Sequence, residues 1–156
     1  MESELIYKAE IEWTGNKGSG TFDYRSYGRS HIIRVPEKIP IQASSDSSFR
    51  GEKNKHNPQE LFLSSISSCH MLWYLYLCSE EDVVVLDYAD DATGILVMEP
   101  DRTGYFKEII LNPTVIVAEE SMITSGMEMH DKARDKCFLA NACSIPILHK
   151  PTVKCL

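Results

Sequence analysis

No run of basic residues occurs anywhere in the sequence. Acidic residues outnumber basic ones, 23 to 16, for a formal net charge of −7. Affinity for nucleic acid comes largely from neutralising phosphates, and an anionic bilayer repels a surface of this sign. The composition therefore points away from nucleic-acid and membrane partners. The five cysteines include no CxxC pair, and an odd number cannot close completely into disulfides within one chain. The opening Met1-Glu2-Ser3-Glu4 is acidic, whereas a secretory leader starts basic and turns apolar. The expectation is a cytoplasmic protein with mostly free thiols. Internal repeats and any linker that would divide the chain are also missing. What remains is ordinary globular composition, 43% hydrophobic and 25% charged over 156 residues. That length suits one domain spanning residues 1–156.

Long apolar runs are few, and only Leu61 to Cys78 (LFLSSISSCHMLWYLYLC) approaches the length of a membrane span. It carries Ser64, Ser65, Ser67, Ser68 and His70, more polar groups than a lone span normally tolerates. A helix apolar on most sides reads instead as the central helix of a soluble domain.

Upstream, Leu5 to Trp13 alternates, with Leu5, Tyr7, Ala9, Ile11 and Trp13 on one face. Period two predicts a half-buried strand. Thr14 to Gly18 is a turn, after which Gly20 to Arg25 is expected to return antiparallel. His31 to Val35 and Ile39 to Ala43 are short strand candidates separated by Pro36, completing a β-meander. Residues 44–56 are a polar loop, of a length that is often functional. Asn57, Pro58 and Glu60 then form a strong helix start, with a cap, a first-turn proline and a returning carboxylate. The helix is predicted from Pro58 to Cys78, stopped by Glu80-Glu81-Asp82. Val83 to Met98 and Tyr105 to Ala118 read as a long antiparallel hairpin, with Pro113 marking an edge or bulge. A second helix is expected over residues 119–136, with Ile123, Met127, His130 and Cys137 as its apolar stripe. Thr152 to Lys154 is a last strand candidate. Segregated strands and helices indicate an α+β fold.

Chemistry centres on the cysteines. Cys69 lies mid-helix among small polar residues that allow a ligand or another backbone to approach closely. Cys78, nine residues on, is rotated by about 900° and faces the opposite side. Cys69 sits roughly 18 Å from the helix start, beyond the reach of the helix dipole. A reactive thiolate there needs a cation from elsewhere, and Arg25, Arg29, Arg34 and Arg50 are the upstream candidates. His130, Cys137, Cys143 and His149 run as H-x6-C-x5-C-x5-H, which matches no usual zinc spacing. Cys69, His130 and Glu60 could also serve a cysteine hydrolase, but no oxyanion-hole signature accompanies them.

Asn57-Pro58-Gln59-Glu60-Leu61, followed by serine-rich sequence to Cys69, resembles the N-P-E-[EQ]-L…C signature of the OsmC/Ohr family, the osmotically inducible protein C and organic hydroperoxide resistance proteins. His130…Ala133…Cys137-Phe138-Leu139-Ala140-Asn141-Ala142 is similar to that family's second signature. The resemblance implies an OsmC-like α+β fold, with antiparallel sheets wrapped on long central helices in an intertwined homodimer and active sites at the interface. It implies thiol peroxidation of organic hydroperoxides, recycled by a small or protein-bound dithiol, with no metal and no cofactor. Carried over by motif, Cys69 is the peroxidatic thiol and Cys137 the resolving one. The sequence departs from the pattern in three places. Gln59 replaces a glutamate that helps hold the activating arginine, with Glu60 retained beside it. Arg50 follows Phe49 rather than preceding a phenylalanine, and is the candidate activator, with Arg29 behind it. Phe138 stands where the family has proline. These departures support an alternative, a catalytically weak OsmC-like protein that binds a small apolar ligand or senses oxidants. Apolar Phe62, Ile66, Leu72 and Trp73 are candidates to hold a hydrocarbon or to fill the core.

Overall fold

A computed structural model describes residues 2–156. The chain forms two compact units, Met1–Leu61 and Phe62–Leu156. The first holds an antiparallel meander of β1 (Glu10–Trp13), β2 (His31–Arg34) and β3 (Ile41–Ala43), in that order. Trp13 pairs with His31, and His31 with Ala43. The strand expected from Leu5 begins only at Glu10. The register ends at Glu10 opposite Arg34, and the neighbouring chain then runs into Pro36, which has no N–H to extend a ladder. Ile6 and Tyr7, on opposite faces of the alternation, are 82% and 86% exposed.

Gly20 to Arg25 does not return as a strand. Asn16 Oδ1 accepts from the backbone N–H groups of both Gly18 and Gly20, and these glycines adopt φ of 117° and 57°. The side chain thus closes a local turn before any ladder forms. The true partner of β1 is β2, guided by Trp13 Nε1 donating to Gly28 O at 2.8 Å. In the loop over 44–56, Asp46 caps a single 3-10 turn, Ser47–Phe49, that ends on Arg50 in the left-handed region.

Helix α1 spans Pro58–Glu80 and starts as its sequence predicts. Glu60 N–H donates to Asn57 Oδ1 and Asn57 N–H donates to Glu60 Oε2, a reciprocal cap. By length and composition α1 could cross a membrane. Its buried side chains form one stripe at four-residue spacing, Ile66, His70, Tyr74 and Cys78. The sequence predicts burial on most sides, yet within one chain Leu72 and Tyr76 are exposed. One sheet-packed stripe accounts for only part of the helix's apolar surface.

In the second unit the expected hairpin is present and is bent in the middle. Strands β4 (Val85–Asp90) and β5 (Thr93–Met98) run out, and β6 (Gly104–Leu111) and β7 (Pro113–Val117) run back. Pairing β5 with β6 and β4 with β7 puts the two halves in separate sheets. Asn112 makes the corner. Its N–H donates to Asp90 Oδ1 and its Nδ2 to Asp91 O. Pro113 opens β7, a position where its missing donor costs little. These two sheets are mixed, whereas the β1-β2-β3 sheet is wholly antiparallel. In the tail, β8 (Ile147–His149) pairs parallel with β6, and β9 (Thr152–Cys155) parallel with β7. Prolines 146 and 151 flank β8 and hide it from a strand search.

A 3-10 turn, Glu120–Met122, leads into α2 (Ile123–Lys136), and a single turn, α3 (Phe138–Asn141), follows Cys137. The buried face of α2 is Gly126, Met129, His130 and Ala133, rotated from the predicted stripe, so Met127 is exposed. Gly126 explains the rotation. A Cβ there would lie 3.1 Å from Val153 Cγ1 and 3.3 Å from Tyr74 Oη, so glycine lets the helix settle against β9 and α1. Two apolar clusters result. One joins Tyr74 and Cys78 to Val115, Val117, Met129 and Val153; the other joins Ile66 to Ile109 and Leu111, with Phe62 packed on it.

Candidate active site

Two helices of the second unit deliver two thiols to one place. Cys69, half-buried, comes from the middle of α1. Cys137 stands at the break between α2 and α3 and is 1% exposed. Its N–H still bonds Ala133 O, closing α2, while ψ of 109° turns the chain away. Its Sγ accepts from Ala140 N–H at 3.5 Å. Burial pushes the Cys137 thiol up to about 11, and the neighbouring Cys69 pushes the same way. A proton is thus held tightly on the inner sulfur while the outer one faces the more accessible side. Phe138, in place of proline, sets its exposed ring edge-on to Trp73 at 5.4 Å, and Trp73 meets Tyr76 at 5.8 Å. Aromatic rings thereby join the α1 turn that follows Cys69 to the residue after Cys137.

The other predicted residues have distinct surroundings. Arg50 is exposed at φ 64° in the first unit. Gln59 is half-buried, and its Oε1 has no hydrogen-bond partner among the described residues. The Glu60 carboxylate serves the cap described above. Arg29 stacks on Tyr24 and Tyr27, 4.5 and 3.9 Å from their ring centroids, and donates to both carbonyls. Arg34 pairs with Glu10 and Glu12. Of the four arginines considered, these two are held by local partners. Of the apolar candidates, Ile66 and Phe62 belong to the core and Leu72 is exposed.

The small residues do not gather round Cys69 as expected. Ser64, Ser67, Ser68 and Met71 line a separate cleft of about 380 Å³ with Tyr88 and Asp90 to Ala92, and Cys69 is not in its wall. Helical spacing puts those four on one face and Cys69 well round from it. Ser67 donates to Asp90 Oδ2 at 2.5 Å.

The feature the sequence hid is a buried aromatic and imidazole cluster next to Cys69. His70 and His130, each 1% exposed, bond Nε2 to Nδ1 at 3.1 Å. Tyr74 stacks on His130 at 3.9 Å, and His149 lies 4.6 Å from His70. Burial holds His70 down to about 3 and His130 to about 4. Burial also lowers His149, whose Nδ1 accepts from Arg134 Nε at 3.1 Å. The four-residue spacing of His70 with Tyr74 was the available signal. His130 therefore bonds a histidine rather than a thiol. Among the described residues no group of three or more His, Cys, Asp or Glu is placed to hold a metal.

Residues 51–150 match the family described as OsmC-like protein. This chain belongs to the OsmC-like family. A solved OsmC-like protein of unknown function from Vibrio cholerae is 25% identical, with a TM-score of 0.85 over 96% of this chain and 100% of that one. An organic hydroperoxide resistance protein from Elizabethkingia anophelis is 14% identical, with a TM-score of 0.71 and full coverage of both chains. The organic hydroperoxide resistance protein OhrB of Bacillus subtilis is 12% identical, with a TM-score of 0.64 over 95% of this chain and 98% of that one. No curated protein matches. The OsmC-like fold thus accounts for the order of strands and helices seen here. It also places the N-P-Q-E helix start and both cysteines inside the matched segment.

Proposed function

We propose that this OsmC-like protein is a thiol-dependent peroxidase that reduces organic hydroperoxides. The observation that carries the reading is the meeting of Cys69 and Cys137 from two different helices. The Cys69 thiolate attacks the terminal oxygen of ROOH. An S–O bond forms, the O–O bond breaks, and the alkoxide takes a proton and leaves as ROH. Cys69 is then a sulfenic acid. The Cys137 sulfur attacks Cys69 Sγ, an S–S bond forms, and hydroxide leaves as water with the Cys137 proton. An external dithiol restores both thiols and is itself oxidised to a disulfide. The unequal burial of the two sulfurs supports this division of labour. The more accessible one meets substrate, and the buried one waits protonated. Trp73 and Phe138 offer apolar surface to the hydrocarbon. No metal or cofactor enters the scheme.

Arg50 supplies the cation that Cys69 requires, Gln59 Oε1 accepts from its guanidinium, and Glu60 fixes the helix turn that carries Gln59. Arg50→Ala is expected to slow the first oxidation of Cys69 at least tenfold, the usual scale for losing a positioned charge. Stopped-flow kinetics against cumene hydroperoxide reads it, and an unchanged rate removes Arg50 from the site. We further propose that the protein is a cytoplasmic homodimer in which the partner covers Leu72 and Tyr76. Light scattering that finds a monomer at micromolar concentration rejects this arrangement.

The test of the whole reading is consumption of cumene hydroperoxide by the wild-type protein with dithiothreitol or a dihydrolipoyl donor. No turnover rejects it. One observation favours a second reading, a weakly active oxidant sensor or binder of a small apolar ligand. Gln59 brings no charge to orient a guanidinium. One stoichiometric oxidation without recycling by any dithiol would select it.

A further inference from the structure

The two helices that carry the thiols are tied by a directional bond as well as by apolar packing. His70 is the residue after Cys69 on α1. His130 lies on α2, seven residues before Cys137, about two helical turns. Apolar contact between helices is non-directional and tolerates sliding, whereas an N–H···N bond fixes distance and angle. A neutral imidazole carries one N–H, so one ring donates and the other accepts. In either tautomer His70 Nδ1 and His130 Nε2 are left, buried and unpartnered within the chain. A buried polar atom left without a partner costs stability. A plain leucine pair would avoid that cost, so the histidines call for a reason other than stability.

We propose that the His70–His130 bond is a positioning element that sets the separation of Cys69 and Cys137 and thereby the rate at which their disulfide closes. The bond spans α1 and α2 at 3.1 Å, with both rings at 1% exposure. Disulfide closure needs the α-carbons within about 7 Å and a defined torsion. A shift of an ångström in either helix is therefore enough to slow it. Stacking of His130 on Tyr74 keeps the ring from swinging away. This inference concerns resolution in the peroxidase scheme above, but closure of the disulfide can be measured without that scheme.

The test exploits which nitrogen each ring uses. His130→Phe keeps a ring on Tyr74 and removes the bond. His130→Asn drops the ring, and its amide can still occupy the place of Nδ1. In parallel, His70→Gln mimics Nε2 and His70→Met does not. Diamide oxidises the two thiols to the disulfide and is itself reduced to the hydrazine, so no peroxide is needed. The expected result is closure slowed about tenfold or more in His130→Phe and His70→Met, with His130→Asn and His70→Gln within about threefold of wild type. The equilibrium of the disulfide against glutathione should move the same way. Wild-type closure in His130→Phe and His70→Met, or equal losses in all four, overturns the proposal. If His130→Phe does not fold, the His70 pair alone decides by the same criterion. If wild type closes its disulfide with diamide but consumes no hydroperoxide, the peroxidase reading fails and the positioning role stands.

Discussion

Cys69→Ser is expected to abolish hydroperoxide turnover, whereas Cys137→Ser should leave the first oxidation intact and stop the cycle after it. Serine's hydroxyl is far too weak an acid to supply the anion that attacks an O–O bond. A loss of at least about a thousandfold in kcat/KM follows, more than 4 kcal/mol of barrier. In Cys137→Ser no second sulfur lies beside the sulfenic acid. That acid should accumulate, be trapped by dimedone, and show as one oxygen added in the intact mass. Wild type given one equivalent of peroxide should instead lose two thiols, with Cys69 and Cys137 joined in a single cross-linked peptide. Full turnover by Cys69→Ser would end the proposal. A trapped sulfenic acid in wild type equal to that in Cys137→Ser would remove Cys137 from the resolving role. Cys143 offers the internal control. It is half-buried, and its sulfur faces Ala140 O at 3.5 Å, so Cys143→Ser should leave the cross-link unchanged.

Local chemistry made part of the architecture legible in the sequence. The α1 start can be read because Asn57, Pro58 and Glu60 each satisfy a need of a helix terminus, and those needs do not depend on the rest of the fold. The bent hairpin can be read because Pro100 to Gly104 turn the chain and β-branched residues flank them. The first strand is over-read because alternation reports a face that could be buried, not a ladder partner. Leu5 to Ala9 has the pattern, and Pro36 removes the neighbour. The rotation of α2 is missed because Gly126 and Ala133 carry little weight in an apolar count, yet their smallness lets the helix approach Val153 and Tyr74. The motifs supplied both cysteines as residues. Their contact needs the tertiary packing of α1 on α2, which no spacing encodes. The serines round Cys69 misled for a geometric reason. Neighbours in sequence on a helix point to different sides, and three of them line another cleft. Imidazole burial was invisible for a similar reason, since a histidine at a core position is written no differently from one at the surface.

Acid is expected to destabilise the protein steeply between pH 6.5 and about 4, and the buried imidazoles are the cause. His70 is held down to about 3 and His130 to about 4, by burial first and then by the neighbouring His149. Arg134 acts in the same direction on both, and the Asp131 carboxylate opposes it at His130. Tyr74 and Tyr88 pack on His130 as neutral rings, since burial raises both phenols. In the unfolded chain each histidine takes up a proton near pH 6.5. The folded chain refuses it until far lower pH, so in between the unfolded state binds more protons. Stability is complete above 6.5 and falls as pH drops, at roughly 1 kcal/mol per pH unit for each such histidine. Against a typical total of about 5–15 kcal/mol, two or three groups titrating together bring the fold near its midpoint by about pH 4. The carboxylates held low, Asp46, Glu52 and Asp101, lose their contribution only below their ordinary range. The interval from 6.5 to 5 lies above that range and therefore reports the histidines. Urea midpoints measured across that interval should fall continuously in wild type. The slope should become shallower by one proton in His70→Gln and by two in the double variant with His130→Asn. A flat midpoint from pH 6.5 to 5 would show that the rings are solvated or already charged, and the same slope in the double variant would place the acid sensitivity elsewhere in the chain.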